Sequence, residues 1–169
     1  MRVPLGAVST PVVFGSQPVV KRYQTQSSGL VWGVDVSEYQ TSVNWKALAE
    51  AGISTAAIRL GDGAHVDLLA TQHFEGARAA GILVEPYFFA RDGEDAARQV
   101  ARWISRADEI GTWDMPLCVD YEQASMQTTG TPLAHWVDRA TADVCARWPG
   151  RAADLYIGWY MLQALGVHP

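Results

Sequence analysis

From Leu30 onward, short apolar segments rich in β-branched residues alternate with segments whose apolar residues recur at helical spacing. The pattern predicts five buried strands, each followed by a helix. The strand segments are LVWGVDVS, ISTAAIRL, ILVEPYFFA, MPLCVDYE and ADLYIGW. The helical segments are NWKALAEAG, DLLATQHFEGARAAG, GEDAARQVARWISRADEIG, TPLAHWVDRATADVCARW and YMLQALG. Strands that are apolar almost throughout and alternate with helices indicate an α/β fold with a parallel sheet covered by helices.

The five predicted βα units fit two arrangements, an open doubly wound sheet or a closed barrel. Near each strand end stands a residue with a polar or aromatic side chain: Asp35, Arg59, Tyr87, Asp120 and Tyr156. No glycine-rich GxGxxG segment follows the first strand, so the sequence lacks the commonest dinucleotide-binding signature. In a barrel, all five strand-end residues would lie on the C-terminal face, where such folds place their active sites.

Local signals predict the boundaries of several elements. Asp67 stands where it would cap the second helix, and residues 61–63, Gly-Asp-Gly, indicate a turn. Pro86 lacks a backbone N–H, so it suggests a bulge or a strand boundary in the third strand. The third helix carries an arginine stripe that is expected to pair in solvent with acidic neighbours: Arg98, Arg102 and Arg106 with Glu94, Asp95 and Glu109.

Residues 1–29 differ in character from the rest of the chain. They mix Pro, Gly, Ser and Gln with short Val runs and end in QTQSSG. This composition predicts an N-terminal extension or linker before a domain at 30–169. Prolines interrupt the apolar residues of the extension, so no secretory signal peptide is predicted. No apolar run in the chain reaches the ~18 residues of a membrane-spanning helix.

Composition narrows the classes of function. The 169 residues suffice for one domain with a core, and 49% of them are hydrophobic. A net charge of -5 argues against a nucleic-acid-binding surface, which is usually basic. Cys118 and Cys145 are expected to be buried thiols, with a disulfide as the alternative, and neither the cysteines nor the scattered histidines have metal-ligand spacing. We therefore predict no cofactor and no metal.

The strongest chemical signal is Asp120-Tyr121-Glu122 at the end of the fourth predicted strand. Side chains at i and i+2 of a strand point to the same side, about 6.6–7 Å apart. Both carboxylates would therefore face one cavity, with Tyr121 on the other side. Glycoside hydrolysis uses such a pair, a protonated acid for the leaving oxygen and a carboxylate that stabilises positive charge or activates the attacking group. The alternative is a polar strand end whose acids cap the next loop.

Three further kinds of residue fit a sugar-cleaving site. Asp35 ends the first strand, in GVDVSEYQ, and would either reach the same cavity or hydrogen-bond the following loop. Tyr87 and Tyr156 offer aromatic faces that stack on sugar rings, and one of the two phenylalanines after Tyr87 must then belong to the core. Arg59 would pair with one of the acids or with a substrate group, or else form a structural ion pair.

Taken together, these segments resemble family 25 glycoside hydrolases. GVDVSEYQ, VNWKALAEAGISTAAIRLGDG, ARAAGILVEPYFFAR, PLCVDYE and LYIGWY occur in the family's order, over about residues 31–160. The Asp-x-Ser-x-x-Gln opening and the Asp-x-Glu strand end are the most specific parts. Members of this family are lysozymes, or muramidases, common in bacteriophage endolysins and bacterial autolysins. They cut the β-1,4 bond between N-acetylmuramic acid and N-acetylglucosamine.

The resemblance implies an irregular TIM-like barrel. It implies Glu122 as the general acid, with Asp120 and Asp35 as partner carboxylates. Tyr87 would match the family's tyrosine in the third strand. The chain departs from the family in having Phe88 where histidine is frequent, and in ending soon after the fifth strand. The family's last three strands, and an acidic residue near their end, have no counterpart, so we expect a barrel truncated after five βα units.

Two functions of different classes follow. The first is a peptidoglycan hydrolase that acts on glycan strands. The second is a non-catalytic wall-binding or virion structural module on a truncated lysozyme-like fold, completed by a missing C-terminal segment or a wall-binding domain. A third interpretation is a hydrolase that holds a metal at Asp35, Asp120 and Glu122. With no signal peptide predicted, we expect synthesis in the cytoplasm of a bacterial or phage-infected cell and action on the cell wall after release.

Overall fold

The computed structural model describes residues 19–24, 30–91, 93–122, 131–158 and 163. Its strands are β1 Val19–Gln24, β2 Leu30–Val36, β3 Ile53–Asp62, β4 His65–Val66, β5 Leu83–Phe89, β6 Cys118–Tyr121 and β7 Leu155–Ile157. Its helices are α1 Trp45–Glu50, α2 Ala70–Ala79, α3 Ala96–Ile110 and α4 Thr131–Arg147. The predicted strands and the first four predicted helices are therefore present. The last predicted helix, YMLQALG, lies outside the described residues except for Gln163.

The strands form a seven-stranded sheet in the order β1-β2-β3-β5-β6-β7, with β4 paired to β3. Parallel pairing joins β2 to β3, β5 to β6 and β6 to β7. A helix separates each of these parallel strands from the next along the chain, which is the repeat that the apolar pattern predicts. The predicted α/β fold class with parallel βα repeats is therefore confirmed.

Strand β1 lies inside the stretch predicted as an extension. It runs antiparallel to β2 along its whole length, from Val19 opposite Asp35 to Gln24 opposite Leu30. Its position at the end of the sheet order makes it an edge strand, and the charged residues of VVKRYQ are typical of such strands. The boundary between extension and domain at residues 29 and 30 stays a prediction.

The predicted turn at residues 61–63 is shorter than expected. Gly61 and Asp62 continue β3 and pair with Val66 and His65 of β4 in an antiparallel hairpin. The chain reverses at Gly63, whose φ of 56° lies in the left-handed region that favours glycine. Two residues of the Gly-Asp-Gly segment, Gly61 and Asp62, thus belong to the sheet rather than to a loop.

The chain divides into two compact units, Met1–Ile58 with Leu68–Val84 and Arg59–Asp67 with Glu85–Pro169. In the first unit, Trp45 of α1 packs edge-on against His73 of α2, with their ring centroids 5.8 Å apart. A Cβ at Gly76 would overlap the Trp45 indole, so the glycine allows the close approach of the two helices. The core of this unit includes the fully buried Val34, Ala56 and Ile58.

In the second unit, α3 buries the apolar face that its sequence predicts. Val100, Trp103 and Ala107 are fully buried. The Trp103 indole stacks on Phe88 of β5, with ring centroids 6.4 Å apart and an angle of 24° between the ring planes. Helix α4 adds the buried residues Val137, Ala140 and Val144. Aromatic stacking and aliphatic contacts therefore fix both helices on one face of the strands.

Asp67 does not cap α2, so this sequence prediction is wrong. The helix begins at Ala70 after Leu69, with no side-chain cap. Asp67 is fully buried, and its Oδ2 accepts a hydrogen bond from Arg59 Nε at 3.2 Å. A buried carboxylate requires a charged or hydrogen-bonding partner, and this requirement outweighs the gain of capping a helix. The Asp67 N–H also donates to the Leu60 carbonyl at 2.9 Å, which closes the β3–β4 hairpin.

Two smaller predictions also change. Pro86 lies inside β5 and does not end it, because the parallel ladder with β6 starts one residue later, at Tyr87 opposite Cys118. Cys118 is a buried free thiol as predicted, whereas Cys145 is a free thiol exposed on α4.

None of the helices within the described ranges combines the length and the hydropathy needed to cross a membrane.

Gly61 is expected to tolerate no side chain. A Cβ there would overlap both the Trp103 indole and the backbone carbonyl of His65. Gly61→Ala should therefore lower the free energy of unfolding by about 1–3 kcal/mol, the usual effect of overpacking a core. Urea unfolding measures the change, and Gly93→Ala is the control because a Cβ at Gly93 meets open space. Equal effects of the two substitutions would contradict the predicted overlap.

The arginine stripe of α3 pairs largely as predicted. One of its pairs, Arg102 with Glu94, predicts that the stability of the fold depends on pH. Arg102 donates to both Glu94 carboxylate oxygens, at 2.7 and 2.5 Å, and Arg106 to Glu109 at 3.3 Å. Hydrogen bonds from Arg102 hold the pKa of Glu94 below its usual value of 4.5. A lowered pKa in the folded state stabilises the fold above about pH 4.5, and this stabilisation is lost as the pH falls through the folded-state pKa.

Glu94→Gln should therefore lower the free energy of unfolding by about 1 kcal/mol or less at pH 7, because the pair is partly exposed to solvent. The difference from the parent protein should shrink as the pH is lowered below 4.5, the ordinary pKa of the group. Urea unfolding at pH 7 and at pH 3.5 or below tests this. A difference that is equal at both pH values would show that the charge on Glu94 is not its cause.

Candidate active site

The acidic segment Asp120-Tyr121-Glu122 lies at the end of β6. Tyr121 is fully buried and packs against Trp136 of α4, with ring centroids 5.2 Å apart. Neighbouring residues of a strand point to opposite faces, so Asp120 faces away from α4. Glu122 is the residue directly after β6. Both acids are partly buried. The strand geometry therefore gives the direction of Asp120, and the shared face of Asp120 and Glu122 stays a prediction.

Strands β5 and β7 place aromatic residues beside Asp120. Phe88 faces α3, where it stacks on Trp103, so its neighbours Tyr87 and Phe89 face the other way. In the parallel ladders, Phe89 is opposite Asp120, and Asp120 is opposite Tyr156. Paired residues of adjacent strands point to the same face, about 4.8 Å apart. Asp120 therefore lies between two aromatic side chains, and Tyr87 lies two residues before Phe89 on the same face.

Phe89 and its surroundings are functional candidates that the sequence did not single out. The Arg91 guanidinium lies 4.7 Å from the centre of the Phe89 ring. Arg91 also makes two hydrogen bonds to the Asp62 carboxylate, at 2.5 and 2.6 Å, and the Gly63 N–H donates to the Phe89 carbonyl at 3.0 Å. The alternation of side chains along β5 would have identified Phe89, had Phe88 been assigned to the core. No local pattern in the sequence indicates that Asp62 and Arg91 pair.

Asp35 lies in the first unit, one residue before the end of β2, and pairs with Ala57 of β3. The loop that follows it explains the Asp-x-Ser-x-x-Gln motif. The Gln40 Oε1 accepts hydrogen bonds from the Ser37 N–H at 2.9 Å and from the Ser37 hydroxyl at 3.2 Å. The Ser37 carbonyl lies 3.2 Å from His73 Nε2. Ser37 and Gln40 thus stabilise the turn that follows Asp35, and Asp35 itself is partly buried.

Arg59 and Tyr156, two further residues of the predicted site, differ in how far they are exposed to solvent. The Arg59 side chain is 8% exposed and pairs with Asp67, which is the structural ion pair that the sequence left open. Its assignment to substrate binding stays a prediction. Tyr156 is 42% exposed, so its ring is available to a ligand.

Throughout the described ranges, no three His, Cys, Asp or Glu side chains form a group suited to a metal ion.

The acidic and aromatic residues at this end of the sheet are typical of one class of enzyme. A parallel βα sheet carries two acidic residues at one strand end, and aromatic side chains flank Asp120 on the neighbouring strands. Carboxylate pairs supply the acid and the charge stabilisation for glycosidic bond cleavage, and aromatic faces stack on sugar rings. This combination of fold and side chains is typical of glycoside hydrolases.

Comparison with known proteins identifies the family. Residues 34–164 match the sequence profile of the family described as Glycosyl hydrolases family 25. The chain belongs to this family. A curated relative, Lysozyme M1 of Streptomyces globisporus, is 33% identical over 84 residues. The match covers 49% of this chain and 28% of the length of that relative.

Solved structures agree with the family assignment. The bacterial lysozyme from Streptomyces coelicolor superposes with a TM-score of 0.69 at 26% identity, over 82% of this chain and 67% of that one. A family 25 glycosyl hydrolase from Bacillus anthracis superposes with a TM-score of 0.71 at 18% identity, over 88% of this chain and 71% of that one. The second likeness bears on the fold alone. The predicted α/β, TIM-like barrel fold class is therefore confirmed over the portion that aligns.

Proposed function

We propose that this protein is a peptidoglycan hydrolase of the lysozyme type, which cleaves the β-1,4 bond between N-acetylmuramic acid and N-acetylglucosamine. The observation that carries the proposal is the position of Asp120 on the face of β6 opposite the buried Tyr121, with Glu122 directly after the strand. Membership of glycosyl hydrolase family 25 supports the reaction class. Relatives described as lysozymes support the choice of a cell-wall glycan as substrate.

In this proposal, Glu122 is the general acid that protonates the glycosidic oxygen as the bond breaks. Asp120 is ionised and stabilises the positive charge that develops on the sugar ring. The role of Asp35 as a further catalytic carboxylate stays a prediction.

The aromatic side chains would orient the glycan strand across the carboxylates. Tyr156 and Phe89 flank Asp120 at the same level of the sheet, and Tyr87 lies further along β5. The apolar face of a pyranose ring stacks on such side chains, while its hydroxyl groups bond to polar neighbours. We propose that Tyr87 and Tyr156 bind sugar rings on either side of the bond to be cut, with Phe89 forming part of the floor between them.

Digestion of purified peptidoglycan tests the proposal directly. Release of reducing ends, with N-acetylmuramic acid at the new reducing terminus by mass spectrometry, is the expected result. A new N-acetylglucosamine terminus would overturn the assigned bond but not the reaction class. Binding to peptidoglycan with no release of reducing ends would overturn the catalytic proposal and favour the non-catalytic wall-binding module.

A further inference from the structure

A pocket of about 370 Å³ lies in the second unit, between the turn after α3 and the turn after α4. Its lining includes Asp108, Trp113, Arg147, Trp148 and Arg151. Both turns lead into the N-terminal ends of strands, the first into β6 and the second into β7. The carboxylates of the candidate active site stand at the C-terminal end of β6. The pocket therefore lies at the opposite end of the sheet from those carboxylates.

The walls of this pocket are held by specific contacts. Trp113 is buried, and its Nε1 donates to the Ala107 carbonyl at 2.9 Å. Arg147 makes two hydrogen bonds to Asp108, from Nη2 at 2.6 Å and from Nε at 3.3 Å. The Arg147 guanidinium carbon also lies 5.0 Å from the centre of a Trp148 ring. Side chains that are already held in place lose less freedom when a ligand binds, which favours affinity.

Arg151 gives the pocket its net positive charge. Asp108 neutralises Arg147, whereas Arg151 makes no ion pair with any residue in the part of the chain that the structure describes. Its Nη1 donates to the Asp114 carbonyl at 2.5 Å, which orients the guanidinium. A guanidinium has five N–H donors, so most of them stay available to an anionic ligand. The pocket thus combines indole rings with one uncompensated cation.

We propose that this pocket binds an acidic sugar unit, a saccharide ring that carries a carboxylate or a phosphate. The Arg151 guanidinium complements the anion, and the indole of Trp148 complements the apolar face of the ring. The volume falls near the lower end of the ~300–1,000 Å³ that is usual for small-ligand sites. The inference rests on the proposed function, because an enzyme that cuts wall glycan meets acidic sugars along the strand. The pocket would hold the polymer at a distance from the bond that is cut.

Titration of the full chain with monosaccharides, followed by NMR of the tryptophan indole N–H groups, tests this proposal. The probes are N-acetylmuramic acid, N-acetylglucosamine 6-phosphate and the neutral N-acetylglucosamine. We expect at least one acidic sugar to shift the Trp148 signal, which Trp148→Phe identifies, and to bind at least ten-fold more tightly than the neutral sugar. Preference for the carboxylate would point to peptidoglycan, and preference for the phosphate to a phosphorylated wall polymer. Both preferences support the proposal.

Two variants test which charged residue binds the acidic sugar. Arg151→Gln should weaken binding of the acidic sugar at least ten-fold. Arg139→Gln, a matched change at an arginine that pairs with Asp143 on α4, should leave it unchanged. Added salt should weaken acidic but not neutral sugar binding to the parent protein, which tests the charge even where a variant does not fold. Equal binding of acidic and neutral sugars, or no response of Trp148, would overturn the proposal.

The outcomes for the pocket and for the proposed function are separable. Hydrolysis of peptidoglycan with no Trp148 response to either acidic sugar would remove the pocket site and leave the enzyme. A Trp148 response with no hydrolysis would keep the binding site and remove the proposed activity. Where both hold, Arg151→Gln should slow the clearing of insoluble walls several-fold more than it slows the cleavage of short soluble glycans.

Discussion

Replacement of Glu122 by Gln is expected to lower the rate of peptidoglycan hydrolysis by about 10²–10⁴-fold, the range that general acid–base catalysis typically supplies. Glutamine keeps the shape of the side chain but has no proton to transfer to the leaving oxygen. Glu122 follows β6 and is only partly buried, so the substitution should leave the fold intact. The rate at which reducing ends appear, at saturating peptidoglycan, measures the effect.

Glu109→Gln is the matched control for this experiment. Glu109 lies on α3, where it pairs with Arg106 at the surface, and its loss should change neither the rate nor the melting temperature appreciably. A Glu122→Gln protein that works at the parental rate would show that another group provides the proton. A lost activity accompanied by a lowered melting temperature, relative to Glu109→Gln, would instead attribute the loss to the fold.

Asp67→Asn is expected to lower the free energy of unfolding by about 3 kcal/mol or more, the effect of removing one member of a buried ion pair. The Asp67 side chain is fully buried and faces Arg59, whose side chain is 8% exposed. Asparagine keeps the volume and one hydrogen-bond acceptor, so the loss comes from the charge. Thermal and urea unfolding measure the effect.

The Asp62–Arg91 pair provides the comparison, because it has similar chemistry in a more exposed place. Its side chains are 25% and 41% exposed, so Asp62→Asn should cost about 1 kcal/mol or less. Replacing both members of the buried pair, as Arg59→Met with Asp67→Leu, should be less harmful than Asp67→Asn alone. An Asp67→Asn protein no less stable than Asp62→Asn would show that burial does not strengthen the interaction.

Much of the fold could be predicted because its signal is repeated along the chain. Each βα unit carries its own apolar strand and its own amphipathic helix, so the spacing alone indicates a parallel sheet. The direction of the acids could be predicted for the same reason. Once Tyr121 is assigned to the helix side of β6, the period of two fixes Asp120 on the other side and predicts the same side for Glu122.

The remaining features depend on partners that are distant in the sequence. β1 lies in a segment of linker-like composition, and it becomes a strand because it pairs with β2. Asp62 pairs with Arg91, 29 residues further along the chain, and no local pattern indicates such a contact. Asp67 has the spacing of a helix cap, but the nearby Arg59 and its own burial decide its role. Local propensity is a weak guide where tertiary contacts compete with it.

The burial of Tyr121 against Trp136 also limits how this gene can change. Inserting or deleting one codon within β6 would reverse which side chains meet α4, and a carboxylate would then replace the phenol against the indole. Exchanging one side chain for another at these positions has a graded effect on the packing of β6 against α4. A change of one residue in the length of β6 has a severe effect on the same packing. Among homologous sequences, we therefore expect this strand to vary in residue identity but not in length, and the loops beyond it to absorb insertions.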